Sequence, residues 1–254
     1  MRFLQQIQER TDPSAPGVLK RELFCEEEID NIVDKFYSLY NQHRCNDGVV
    51  PKSMYQIMSY YPKEEWASTY AQVVQETKDT LFKTFDHEYQ KLFRAIEKFH
   101  GRPTISIDEH NRPGFCLFNE MDQDYSFWHT DTYAQGSTAS TVLEALNIHT
   151  SGYIQSYTVP LILGRNYSPG DTPGIKYDMN HSVEEIQRVE KLDASSKVKS
   201  YIPQMLYYDL GNVYTWKGSI SHSVHYTSEI SELWPRLTMQ CFGWVTADQV
   251  MVFW

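Results

Sequence analysis

His129-Thr130-Asp131 is the stretch that most narrows what this chain can fold into. Residues two apart on an extended strand project from the same face, so the imidazole and the carboxylate stand side by side. Such a pair supplies two of the three ligands of a 2-His-1-carboxylate facial triad, the arrangement that holds non-haem Fe(II). The third ligand has to come from a distant part of the chain on a neighbouring strand, which demands a fold with long-range strand pairing. Ser221-His222-Ser223-Val224, about ninety residues later, offers a histidine in a strand-like setting. His225 is its competitor, but an odd number of positions further on it points to the opposite face, and His222 is the preferred ligand.

A second constraint follows fourteen residues beyond His222, where Trp234-Pro235-Arg236-Leu237-Thr238 opens the next strand-like run. Arg236 and Thr238 share a face by the period of two. A planar guanidinium grips a carboxylate through two parallel hydrogen bonds, and a hydroxyl beside it adds one more. Asp209-Leu210-Gly211-Asn212 is a turn that launches the strand Val213-Tyr214-Thr215-Trp216 just ahead of His222. The order H-x-D, H-x-V, R-x-T would set three metal ligands and one anion clamp inside a single barrel.

The rest of the chain supplies a frame for such a barrel. A loose leader over 1–16 and a short strand near 18–24 precede a helix from Glu26 to Tyr40, with Glu26, Glu27 and Glu28 at its positive end and a stop near His43. Residues 44–62 read as irregular, and 63–99 as two helices with a bend near 84–87, closed by Gly101 and Pro103. Strands are then expected at 104–107, 114–119, 126–133, 156–163, 174–178, 205–208, 212–216, 221–226, 237–244 and 250–254. One helical patch interrupts them at 181–192, with Val183, Ile186 and Val189 in step. Helices first and strands afterwards predict an α+β chain whose second half is a sheet sandwich or jelly-roll barrel. With no repeat or linker in sight, 1–254 reads as one domain, helical to about 103 and jelly-roll from about 104.

Composition excludes several partners. The formal net charge is −10 with no Lys/Arg run, which argues against a nucleic acid or an anionic membrane surface. No apolar run approaches a membrane span, and Met1 to Gly17 lacks the apolar segment of a signal peptide. Cys25, Cys45, Cys116 and Cys241 are scattered without C-x-x-C spacing, as expected of reduced cytoplasmic thiols.

These motifs carry a family likeness. The chain resembles the Fe(II)- and 2-oxoglutarate-dependent oxygenases with a double-stranded β-helix core, through H-T-D at 129–131, G-N-V-Y-T-W-K-G-S-I-S-H-S-V at 211–224 and P-R-L-T at 235–238. G-V-L-K-R-E-L-F-C-E-E-E-I-D-N-I resembles the strand-then-helix start of prolyl-hydroxylase-like members. S-Y-T-V-P-L-I-L-G followed by P-G-D-T-P-G-I-K-Y-D resembles their central strand pair. A helical insert at about 181–200 and an aromatic C-terminal strand ending V-F-W are similar to stand-alone hydroxylases and halogenases of natural-product biosynthesis. Those halogenases have glycine where this chain keeps Asp131, so the resemblance implies hydroxylation or a related oxidation.

What the resemblance implies can be stated residue by residue. His129, Asp131 and His222 would hold Fe(II), and Arg236 with Thr238 would bind the distal carboxylate of 2-oxoglutarate. Asn119, Leu117 and Phe115 would look toward the cosubstrate, with Phe115, Trp128, Tyr133, Tyr208 and Trp216 as pocket walls and 164–180 as a lid. Oxygen and a small-molecule substrate complete the reaction, which releases succinate and CO2. Three rivals stand beside this one: a prolyl-type protein hydroxylase, a non-catalytic binding barrel, and a cupin-like metal enzyme without 2-oxoglutarate. Arg236-x-Thr238 discriminates against the last.

Overall fold

The structure, a computed structural model, describes residues 19–47, 66–106, 113–118, 128–131, 151–163, 174–196, 203–225 and 236–253. Asn119, Tyr133, the expected leader and the 164–173 part of the expected lid lie outside them. Strand β1 (Leu19–Glu22) leads into helix α1 (Glu26–Asp47), which runs a turn past the expected stop. Glu28 caps its start by accepting from Cys25 N at 2.9 Å, half of a capping box. The same carboxylate accepts from Lys91 Nζ at 2.6 Å, tying α1 to helix α2 (Trp66–His100). That hydrogen bond, with the Cys25 N–H, holds the Glu28 carboxyl below its ordinary range.

Helix α2 is bent where the sequence predicts. Phe85 leaves helical geometry (φ −114, ψ 20), and the Thr84 hydroxyl donates back to Thr80 O at 2.8 Å. Side-chain competition for a helix carbonyl is a known cause of bending. The bend lets Phe85 and Tyr89 both turn fully inward.

Strands β2 (Thr104–Ser106), β3 (Gly114–Phe118), β4 (Tyr153–Leu163), β7 (Asn212–Lys217), β9 (Arg236–Val245) and β10 (Val250–Phe253) join β1 in a seven-stranded sheet. Its order is β1-β7-β4-β9-β10-β2, with β3 also on β9. Strands β5 (Gly174–Asp178), β6 (Gln204–Tyr207) and β8 (Ser221–His225) form a second sheet, ordered β6-β5-β8. The architecture is mixed α+β, with the large sheet as its organising layer. Helix α3 (Val183–Ser196) follows β5 and starts with a reciprocal capping box, Ser182 N to Glu185 Oε2 at 2.8 Å and Glu185 N to Ser182 Oγ at 3.3 Å. No helix among the described residues is long and apolar enough to cross a membrane.

The large sheet has two differently used faces. Tyr157, Val159, Leu237, Met239, Cys241, Val213 and Phe115 pack with Ile32, Phe36, Phe85, Tyr89 and Leu92 of the helices into the main core. On the other face Tyr214 and Trp216 join Ile175, Tyr177, Leu206, Tyr208 and Ile220 in a second cluster, reaching the small sheet. Pro160 interrupts the hydrogen bonding of central strand β4 at a register shift, the place where a strand tolerates a residue without N–H. Its carbonyl accepts from Gly211 N at 2.9 Å. Gly211 (φ +70) must be glycine, because a Cβ there would stand 2.3 Å from Phe24 O.

His100 ends α2 against the main core, 2.6 Å from Tyr157 Oη. Burial, helped by the Arg102 cation, pushes its imidazole down to about 4 from 6.5. The folded chain therefore keeps the ring neutral while the unfolded chain takes a proton below about 6.5, so stability from this group is whole above 6.5 and drains away toward pH 4. His100→Gln should flatten that acid limb by about 1–2 kcal/mol, solvent at the half-buried ring screening the rest. Urea unfolding at neutral pH and near pH 4.5 checks it; parallel acid limbs for both proteins would refute it.

Candidate metal centre

Two backbone hydrogen bonds assemble the site. His129 N donates to His222 O and His222 N to His129 O, both at 2.9 Å, an antiparallel bridge on the side of β8 away from β5. Two residues on, Asp131 N donates at 2.7 Å to Gly218 O, in the turn between β7 and β8. His129 Nε2 then lies 3.7 Å from Asp131 Oδ1, and His222 Nε2 lies 3.5 Å from Asp131 Oδ2. One ligand atom from each of the three residues falls within 4.8 Å of the others. Side-chain exposure is 4% for His222, 12% for Asp131 and 37% for His129, so the cluster opens to solvent past His129.

The surroundings orient each donor. His222 Nδ1 is 2.9 Å from Ile220 O, and a carbonyl can only accept, so Nδ1 carries a proton and Nε2 is the atom turned to the cluster. Tyr177, the register partner of His222 on β5, shares its face and is buried beside it. The Trp216 ring stands 5.3 Å from the His222 ring, and its Nε1 donates to Asp131 Oδ2 at 3.3 Å. Ser156 Oγ donates to the same oxygen at 2.5 Å. The residues before the two histidines are tied to α3 and its approach: Trp128 Nε1 donates to Glu190 Oε1 and Ser221 Oγ to His181 O, both at 2.9 Å.

Register places Arg236 on the same side of the sheet. Ser156 pairs with Trp216 and Phe242, Thr158 with Tyr214 and Gln240, Pro160 with Thr238, and Leu163 with Arg236. Cross-strand partners share a face, so Arg236, Thr238 and Gln240 line up on the face from which Ser156 and Trp216 reach Asp131. Arg236 is 1% exposed and its guanidinium lies 5.3 Å over the Tyr208 ring. Burial pushes the Tyr208 phenol up to about 12, against the pull of the Arg236 cation, so it stays protonated at neutral pH. Thr238 is fully buried and its hydroxyl accepts from Gln240 Nε2 at 2.9 Å.

No family model matches the sequence, and no curated protein does. Solved structures do match in shape. A crystal structure of an N-substituted L-amino acid dioxygenase from Burkholderia ambifaria, in complex with alpha-ketoglutarate, superposes with a TM-score of 0.50 at 12% identity, over 98% of this chain and 90% of that one. A second structure under the same enzyme name, from the same organism, gives 0.52 at 13% identity, over 93% and 86%. This chain has the fold of that dioxygenase.

Within this fold the sequence-expected residues separate into groups. His129, Asp131 and His222 come together, and Arg236 and Thr238 lie on the face of the large sheet that also carries Ser156 and Trp216. Tyr208 and Trp216 stand behind this arrangement: one lies under the guanidinium, the other holds the carboxylate. Trp128 is buried and directs its indole N–H at α3. Phe115 is a correction. It pairs with Met239 and packs against Phe36 and Phe85, with ring centroids at 5.2 and 4.6 Å, so it belongs to the helix side of the sheet. Leu117 pairs with Leu237. Nothing in the sequence singles out Ser156, Gly218 or Glu190; Gln240 has a signal there, continuing the alternation of Arg236 and Thr238.

Glu190→Ala should cost about 1–2 kcal/mol by removing the acceptor of a buried indole N–H. It should also speed hydrogen exchange at the His129 amide, because Trp128 anchors the strand beside it. Unchanged unfolding and unchanged exchange would show that the tie to α3 does not support the site.

Proposed function

We propose that this chain is an Fe(II)- and 2-oxoglutarate-dependent dioxygenase with a double-stranded β-helix core, acting in one domain to hydroxylate an aliphatic C–H of a small molecule. The observation that carries the reading is the convergence of His129, Asp131 and His222 on one point, with Nδ1 of His222 engaged by Ile220 O and Nε2 turned to the cluster. Two imidazoles and one carboxylate are the donor set of a facial non-haem iron site. The fold shared with a dioxygenase crystallised with alpha-ketoglutarate supports it, as does that enzyme's small amino-acid substrate.

When bound, iron with 2-oxoglutarate would let O2 serve as the oxidant, one oxygen atom ending in the alcohol and the other in succinate as CO2 leaves. The chain's own residues do the placing. His129, Asp131 and His222 would hold the ion on one side only, leaving adjacent positions for cosubstrate and oxygen. Arg236 would bind the distal carboxylate of 2-oxoglutarate through its planar fork, with the Thr238 hydroxyl beside it. Burial of the guanidinium strengthens that pairing, because charge attraction grows as water is removed. Tyr208 lies beneath the guanidinium, its ring centroid 5.3 Å away. The aromatic layer of Tyr208, Tyr214 and Trp216 keeps water from the inner side, so a substrate would approach past His129. Asn119 and Tyr133 are proposed as further cosubstrate and substrate contacts.

Anaerobic titration with Fe(II) and 2-oxoglutarate tests the reading through the visible metal-to-ligand charge-transfer band. The intact protein should show the band, His222→Ala and Asp131→Ala should lose it, and Arg236→Ala should need on the order of 100-fold more 2-oxoglutarate. No band in the intact protein, or an undiminished one in His222→Ala and Arg236→Ala, would refute it.

A further inference from the structure

Asp131 is gripped at one oxygen. Oδ2 accepts from Ser156 Oγ at 2.5 Å and from Trp216 Nε1 at 3.3 Å. A carboxylate oxygen has two in-plane lone pairs, as many as these two donors need; Oδ1 is turned to His129 Nε2 at 3.7 Å, and Oδ2, 3.5 Å from His222 Nε2, meets the cluster with those lone pairs already engaged. The donors are register partners on adjacent strands β4 and β7, both buried, so their spacing is set by the sheet and not by a loop. The other flank of Asp131 is closed by backbone. Gly218 O accepts the Asp131 N–H, and a Cβ on Gly218 would come 3.2 Å from Asp131 Cβ and 3.0 Å from Ile154 Cγ2.

We infer that Ser156, assisted by Trp216, is a positioning residue that makes Asp131 a one-oxygen ligand, an inference that rests on reading the cluster as a metal centre. A carboxylate free to rotate can take an ion with both oxygens and fill two of six positions. Both oxygens face the histidines, but with the lone pairs of Oδ2 engaged by Ser156 and Trp216, Oδ1 is the one left to bind an ion. Two imidazoles and one oxygen then occupy one face, and the three positions opposite stay open for a chelating cosubstrate and one further ligand. The lock thus protects the vacancy the chemistry needs. Ser156 and Trp216 act through Asp131 and need not touch substrate.

Co(II) alone is the probe, because its d–d absorption reports coordination number in the otherwise unaltered protein. Ser156→Ala should bind Co(II) about 10- to 100-fold more weakly, the usual effect of losing a partner of a metal ligand. Its d–d band should move toward higher coordination number, and Ser156→Thr, which keeps the hydroxyl, should restore the parent spectrum. Trp216→Phe, which removes the N–H and keeps a ring against His222, should move the band in the same direction. Thermal unfolding of the metal-free Ser156→Ala protein should stay near that of the parent. Parent-like affinity and band in both Ser156→Ala and Trp216→Phe would overturn the lock alone. No Co(II) bound by the parent protein would overturn the metal-centre reading itself.

Discussion

The pair of N–H to O=C hydrogen bonds between residues 129 and 222 is the interaction on which the rest of this architecture turns. It joins a short extended segment to β8 and brings together two histidines that are 93 positions apart in the chain. Closing a loop of that length is entropically costly, and the two bonds alone do not offset it. The remainder comes from what lies on either side. β8 is held by β5, β7 is held by β1 and β4, and the turn between β7 and β8 offers Gly218 O to Asp131. The cluster is thus a product of sheet pairing, and its geometry is as firm as the strands that make it.

The alternation of the large sheet gives its two faces separate duties. Odd positions along β9 (Leu237, Met239, Cys241) meet the helices, and even ones (Arg236, Thr238) meet the opposite side. A one-residue slip of β9 would exchange these sets and put a buried arginine among Phe36, Phe85 and Leu92. Helices α1 and α2 therefore act on the site indirectly, by fixing which face of the sheet is greasy. Tyr214 links the two duties, since it packs on Tyr208 at 4.9 Å and fastens the preceding turn by accepting from Asp209 N and donating to Tyr207 O.

Much of this could be read from the residues because it depends on period and local chemistry. The H-x-D pair, the distal His222 and the shared side of Arg236 and Thr238 all follow from a repeat of two. The α2 bend, the start of α1 and the α3 helix follow from helical spacing and end signals. Phe115 shows where such reading stops. Its parity with Leu117 was legible, but the face that parity meets depends on the offset between β3 and β9, which pairs Phe115 with Met239. β4 also begins earlier than expected, at Tyr153, because buried Gln155 is satisfied by Thr215 Oγ1 at 2.6 Å, a partner about sixty residues away. Ser156 was illegible for the same reason, since a serine in a strand means nothing until its neighbour is known.

The claim beneath all of this is that residues 129, 131 and 222 share one ion. Anomalous diffraction from crystals grown with Mn(II) and 2-oxoglutarate addresses it without relying on turnover. One anomalous peak within bonding distance of Nε2 of both histidines and of a single oxygen of Asp131 is expected, with the distal carboxylate of the organic acid at Arg236. A peak held by other residues, or by only two of these three, would contradict it.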